Sequence, residues 1–205
     1  TIAGINRYFT DYHVTQTNTT DAATLATLLA GKDVFLVTEL QNSVTPSYTT
    51  LGANLKNTLH AFVNAGGLAV FCNQHVYEQE FLKGTELFTI TDEYQFSHEP
   101  MTVTDPTHPI MQDIPSTFYG ENATGAFTIT NLDSHTLATH DGRPTVAVRA
   151  IGSGHVVLLG PDYFMSNLDL DRLVANTIRW AETHAGAAVP KWTVTYTDDE
   201  GADIT

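Results

Sequence analysis

Cys72, Glu39 and Asp162 are the residues best placed to do chemistry, because each closes an apolar run. Cys72, the only cysteine, follows LAVF within residues 59–74, LHAFVNAGGLAVFCNQ; Glu39 stands near the end of DVFLVTEL, and Asp162 follows HVVLLGP. In parallel α/β sheets, ligands and catalytic groups gather just outside the carboxyl ends of the strands, so polar side chains at three such ends can converge. The chemistry on offer is attack by a Cys72 thiolate, with His75 or His98 taking the proton and Glu39 or Asp162 orienting that base. As a binding rim, the same region presents Glu39, Asn73 and Asp162 with two rings, Tyr77 and Tyr163, on which a sugar or an aromatic partner would stack. The plainer readings stand beside these. A free cysteine is usually a small buried hydrophobe, and here only His75 is near in sequence to make its surroundings electropositive. Polar residues at strand ends are normally just solvated, and the two tyrosines serve equally as rim packing.

Nine histidines are many for 205 residues, yet no HxH, HExxH or CxxC spacing occurs. A zinc reading would rest on convergence of His75, His98, Glu39 and Asp162 alone, so no metal site and no cofactor is assigned. The acidic stretch 198–203, DDEGAD, lacks the spacing and terminal glutamate of a calcium loop and reads as a solvated linker. Gly152 and Gly154 precede a strand and open no helix, which makes them a turn and not a dinucleotide fingerprint.

The elements that must position these residues are legible from periodicity. Thr20-Asp21 caps a short helix ended by Gly31, and residues 33–40 form a strand buried on both faces. From Ser47, apolar residues at spacings of three and four (Tyr48, Leu51, Leu55, Leu59, Phe62, Val63) predict a helix ended by Gly66-Gly67, and strand 68–71 follows. Such a βαβ order implies a parallel pair. Residues 75–119 are less regular, with a short strand expected at 86–90 and a break at Asp105-Pro106-Thr107-His108-Pro109. Alternation at 126–129, 136–138 and 145–149 predicts antiparallel strands at one side of the sheet. Residues 155–159 form another buried strand, and Asp169 is expected to cap a final helix whose apolar face carries Leu173, Val174, Ile178 and Trp180. Residues 191–197 alternate like a strand.

Composition narrows the functional classes. With 42% hydrophobic residues the chain can bury one good core, and its length favours one domain. Its net charge of -14 repels phosphate backbones and anionic lipid, so nucleic acid is not an expected partner. No apolar run approaches the ~18 to 20 residues of a membrane span. One cysteine forms no internal disulfide, while abundant threonine and scarce lysine point to an extracytoplasmic setting, in an envelope or secreted protein.

In FVNAGG before LAVF, in THPI at 107–110, and in GSGHVVLLGPDYF before DLDRLVANTIRWA, the chain resembles the class I glutamine amidotransferase-like superfamily, particularly its ThuA-like and other degenerate members. The resemblance runs over about residues 12–185 and implies a flavodoxin-like α/β fold, a three-layer sandwich around a mainly parallel sheet. Active amidotransferases of the superfamily carry their cysteine in a GxCxG elbow and pair it with a histidine after a late strand. Here Phe71 and Asn73 flank Cys72, and Asp162 occupies the late-strand position. A nucleophile elbow needs glycine for its strained turn, and a carboxylate is a poor proton acceptor for a thiol near neutral pH. The superfamily also begins with a central strand that residues 1–12 are too short to supply; INRYF reads as the end of the following helix, with residues 191–197 available for an edge.

The resulting expectation is an amidotransferase-like α/β domain at 1–189, its first strand lying upstream, and an exit strand or acidic linker at 190–205. It would be a non-catalytic pseudoenzyme module of a larger polypeptide or assembly, acting as scaffold or binding domain for a protein partner or carbohydrate. The alternative is a cysteine-dependent hydrolase or amidotransferase using Cys72. A ThuA-type sugar hydrolase working through carboxylates and a metal is a third.

Overall fold

The computed structural model describes residues 1–38, 40, 47–72, 76–165, 167–184 and 193–196. The first half follows the periodicity closely. Helix α1 (Ile2–Asn6) leads to strand β1 (Val14–Thr17), whose polar alternation gives little signal in the sequence. Helix α2 (Ala22–Leu29) starts where the Asp21 carboxylate accepts the Thr24 amide at 2.7 Å, and the chain turns at Gly31 with φ of 71°. Strand β2 (Val34–Val37) is buried throughout, and helix α3 (Tyr48–Asn64) begins at the Ser47 cap and ends in a turn through Gly66, φ 111°. Strand β3 (Leu68–Cys72) then lies parallel to β2, with Val34 level with Leu68.

The middle departs from the sequence reading. Residues 76–85 form helix α4 (Val76–Thr85), where no helix was expected, because its buried positions mix Phe81 and Leu82 with Glu78, Gln79 and Thr85. An apolar stripe is therefore absent although the face is inside. Helix α4 crosses α3 at two glycines: a Cβ on Gly52 would meet the Phe81 carbonyl oxygen, and one on Gly84 the Thr49 carbonyl oxygen, both at 2.2 Å. The strand expected at 86–90 is a turn, with Glu86 at φ 57°; the strand begins at its last residue, as β4 (Ile90–Phe96).

The remaining elements are β5 (Pro100–Val103), a 3₁₀ turn at Pro109–Met111, β6 (Thr117–Tyr119), β7 (Thr124–Ile129), β8 (Ser134–His140), β9 (Arg143–Ile151), β10 (Gly154–Leu159), helix α5 (Leu168–His184) and β11 (Thr193–Tyr196). Nine strands form one mixed sheet in the order β1-β11-β2-β3-β10-β9-β8-β5-β6, parallel from β1 to β10 and antiparallel from β10 to β6. The segments read at 136–138 and 145–149 lie in the antiparallel half. The one at 126–129 does not: β7 pairs with β4 in a separate two-stranded ribbon. The C-terminal strand is also placed differently from expectation, since β11 fills an inner position between β1 and β2 and not an edge.

Period-two alternation divides the core of this α/β sandwich. Val34, Leu36, Leu68, Val70 and Cys72 join residues of α1 and α5 in one buried cluster; Phe35, Val37, Ala69 and Phe71 join α2, α3 and α4 in the other. Helix α5 buries Leu173, Val174, Ile178 and Trp180 as its pattern predicts, and the Trp180 ring lies 4.5 Å from that of His155 and 5.0 Å from that of His108. Its cap is Asn167, not Asp169: the Asn167 Oδ1 accepts the amides of Asp169 at 2.9 Å and Leu170 at 3.3 Å.

Candidate functional site at the carboxyl rim

Cys72 is the last residue of β3 and stands level with Leu159, the last residue of β10. The segment that leaves β10 at Gly160 therefore starts beside the thiol. It is stitched to β9 and to the start of β7: Gly160 N–H donates to the Thr145 carbonyl of β9 at 2.8 Å, Gly125 N–H to the Gly160 carbonyl at 2.8 Å, and Asp162 N–H to the Ala123 carbonyl at 2.9 Å. Only glycine fits at 160, where a Cβ would lie 2.3 Å from the Gly125 oxygen and 2.8 Å from the Thr145 oxygen.

The two sequence-singled residues in this segment behave differently. Asp162 is buried and its carboxylate is spoken for, Oδ1 accepting the Phe164 amide at 2.7 Å and Oδ2 the Asn122 side-chain amide at 2.8 Å. This is an Asx-type closure of its own loop. Tyr163 turns inward and joins Cys72 in the cluster beneath α1 and α5, its buried hydroxyl having no hydrogen-bond partner among the described residues. Burial, first, and then the neighbouring charges of Cys72 and Asp171 hold the phenol pKa well above its ordinary 10. Tyr163 is thus a neutral donor in the interior. The surface ring assigned to it in the sequence reading is provided instead by its neighbour, Phe164.

Asp171 was not singled out from sequence, where Asp169 attracted the capping role. In the structure it is the inward one of the pair, 6% exposed, with the Arg7 Nε at 2.8 Å from its Oδ2. The contact joins the end of α1 to the first turn of α5, and a Cβ on Gly4 would strike the same carboxylate. The helical spacing of Leu170, Leu173 and Val174 already puts position 171 at the margin of the buried face, which is the signal that could have found it. Glu78 is a second missed carboxylate, fully buried in α4, where its Oε1 accepts the Leu40 amide just beyond β2.

Tyr77 does not converge with the thiol. It packs against the other core cluster, its ring 5.5 Å from that of Tyr48. His98 stands in the turn between β4 and β5, and β5 lies four strands from β3 in the sheet, roughly 19 Å at ~4.8 Å per strand. It is not positioned to take the thiol proton. Glu39, Asn73 and His75 lie outside the described residues. Among the described residues, no group of three histidine, cysteine, aspartate or glutamate side chains is arranged to hold a metal ion, and no helix is long and apolar enough to cross a membrane.

The rim also carries an apolar patch that the sequence reading passed over. Phe164, Met165 and Leu168 are exposed, Phe164 at 71%, and Tyr119 is brought in by Asn167, whose side-chain amide donates to the Tyr119 carbonyl at 3.2 Å and to the Glu121 carboxylate at 2.7 Å.

No family model matches the chain, and neither does any curated protein. Solved structures resemble it in fold. A cytoplasmic protein from Salmonella typhimurium LT2 superposes with a TM-score of 0.58 at 13% identity, over 92% of this chain and 86% of its own. A second cytoplasmic protein from Salmonella typhimurium gives 0.57 at 12% identity over 86% and 77%. A putative ThuA-like protein from Bacteroides uniformis gives 0.54 at 14% identity over 82% and 78%. At such identities the likeness establishes a shared α/β architecture, with a ThuA-like protein among the structures that share it.

Proposed function

We propose that the chain is a non-catalytic amidotransferase-like module with a flavodoxin-like, three-layer plan, part of a larger envelope or secreted protein, and that its carboxyl rim serves as a scaffold or binding surface for a protein partner or carbohydrate. The observation that carries this reading is the state of Asp162. At the position where the resemblance calls for a histidine base, the side chain is a buried carboxylate committed to Phe164 and Asn122. A group held by one donor in its own loop and a second from the segment before β7 is set to fix backbone, not to shuttle a proton. Cys72 agrees with it, being only 2% exposed and packed among apolar side chains. The exposed Phe164, Met165, Leu168 and Tyr119, fringed by Glu121 and Asn167, supply apolar and polar groups of the kind a binding rim combines.

Iodoacetamide decides between this and the cysteine-hydrolase reading. Cys72 should remain unlabelled in the native protein and react on denaturation. Rapid, pH-dependent labelling of the native chain would sink the non-catalytic reading.

A further inference from the structure

The exposed apolar side chains of this chain are not scattered. Of the six large ones among the described residues, four stand together at the carboxyl rim: Tyr119, Phe164, Met165 and Leu168. Single exposed apolar residues are ordinary, whereas a contiguous group marks a surface that something covers. The backbone beneath this group is fixed. The Phe164 amide donates to the Asp162 carboxylate at 2.7 Å, the Tyr8 hydroxyl to the Leu168 carbonyl at 2.8 Å, and the Asn167 side-chain amide to the Tyr119 carbonyl at 3.2 Å. The side chains are therefore presented on a rigid base, so that little ordering entropy is lost when a partner covers them.

Side-chain type and charge together say what that partner is made of. Tyrosine, phenylalanine and methionine are the residues enriched at the centres of protein interfaces, whereas a sugar needs flat rings set among hydrogen-bonding groups, which Met165 and Leu168 do not offer. The patch is fringed by Glu121 and Asp169, and the arginines at this corner are turned onto carboxylates, Arg7 onto Asp171 and Arg172 onto Asp113. With a net charge of -14 on the whole chain, this surface attracts a partner that brings lysine or arginine. Resting on the reading of the rim as a binding surface, we propose that Tyr119, Phe164, Met165 and Leu168 dock a protein segment that combines an apolar anchor with flanking basic residues.

The test is selection from a phage-displayed library of random linear peptides, with the full chain as bait and the Phe164→Ser/Leu168→Ser double variant for counter-selection. Both positions are exposed, and Tyr119→Ser supplies an independent variant on a different element. Selected peptides should carry an apolar residue beside lysine or arginine, bind the parent at least about tenfold more tightly than either variant, and weaken as salt rises. An empty selection overturns the proposal, as do peptides without basic residues or with equal affinity for parent and variants. The same proteins are applied to a glycan array. Binding there by the parent but not by the variants overturns the proposal in favour of carbohydrate while leaving the rim a binding surface, whereas a reactive Cys72 would strike the non-catalytic reading itself.

Discussion

At Gly160 the backbone passes so close to two carbonyl oxygens that the absence of a side chain decides how the carboxyl rim is built. Gly160→Ala should destabilise the fold by about 1–3 kcal/mol, the usual range for overpacking a tight site, read as a lower denaturation midpoint at unchanged m-value. Glu93 gives a prediction about pH. Its half-buried carboxyl has a pKa raised above 4.5, first by desolvation and then, against the pull of Lys83 and Arg143, by the charge of Asp92. A raised carboxyl binds its proton more tightly in the folded state, so its contribution is fully present below pH 4.5 and is lost as pH rises through the folded value. Glu93→Gln should therefore be more stable than the parent at pH 7 and flatten the decline between pH 4.5 and neutrality, as measured by urea unfolding at a series of pH values. Residue identity alone gave a mixed account of the rim. Cys72 was found because it follows an unbroken apolar run, whereas Asp171 and Glu78 were missed because burial of a carboxylate depends on partners such as Arg7 and Leu40 that are remote in sequence.

Among the elements, helices with an apolar stripe and a clear stop were readable, as α2, α3 and α5 show, and α4 was not because most of its described buried side chains, Glu78, Gln79 and Thr85, are polar. The start of α5 illustrates the ordinary uncertainty of caps. Asn167 and Asp169 are both good capping residues, and the choice falls to Asn167 because its amide also reaches Tyr119 and Glu121 across the rim. Asn167→Ala should cost about 1–2 kcal/mol by thermal unfolding, and Asp169→Ala clearly less. The strands were legible as strands but not in their partners. Alternation in β7 says that one face is buried; it does not say that β4, and not the large sheet, supplies the pairing.

For the whole molecule, the sequence carried the α/β class and the parallel half, through the order of β2, α3 and β3, and the solved structures that superpose on it share that architecture. It did not carry the order of the sheet, because the position of β11 is set by long-range pairing that local patterns do not encode.

Helix α5 supplies one practical consequence. Trp180 is wedged between two imidazole rings and is 5% exposed, so its indole emission should differ between a seated and a lifted helix. Because the other tryptophan is Trp192, replacing that residue with phenylalanine leaves a single fluorophore. The chain thus contains an optical gauge that follows the docking of this helix with no added dye.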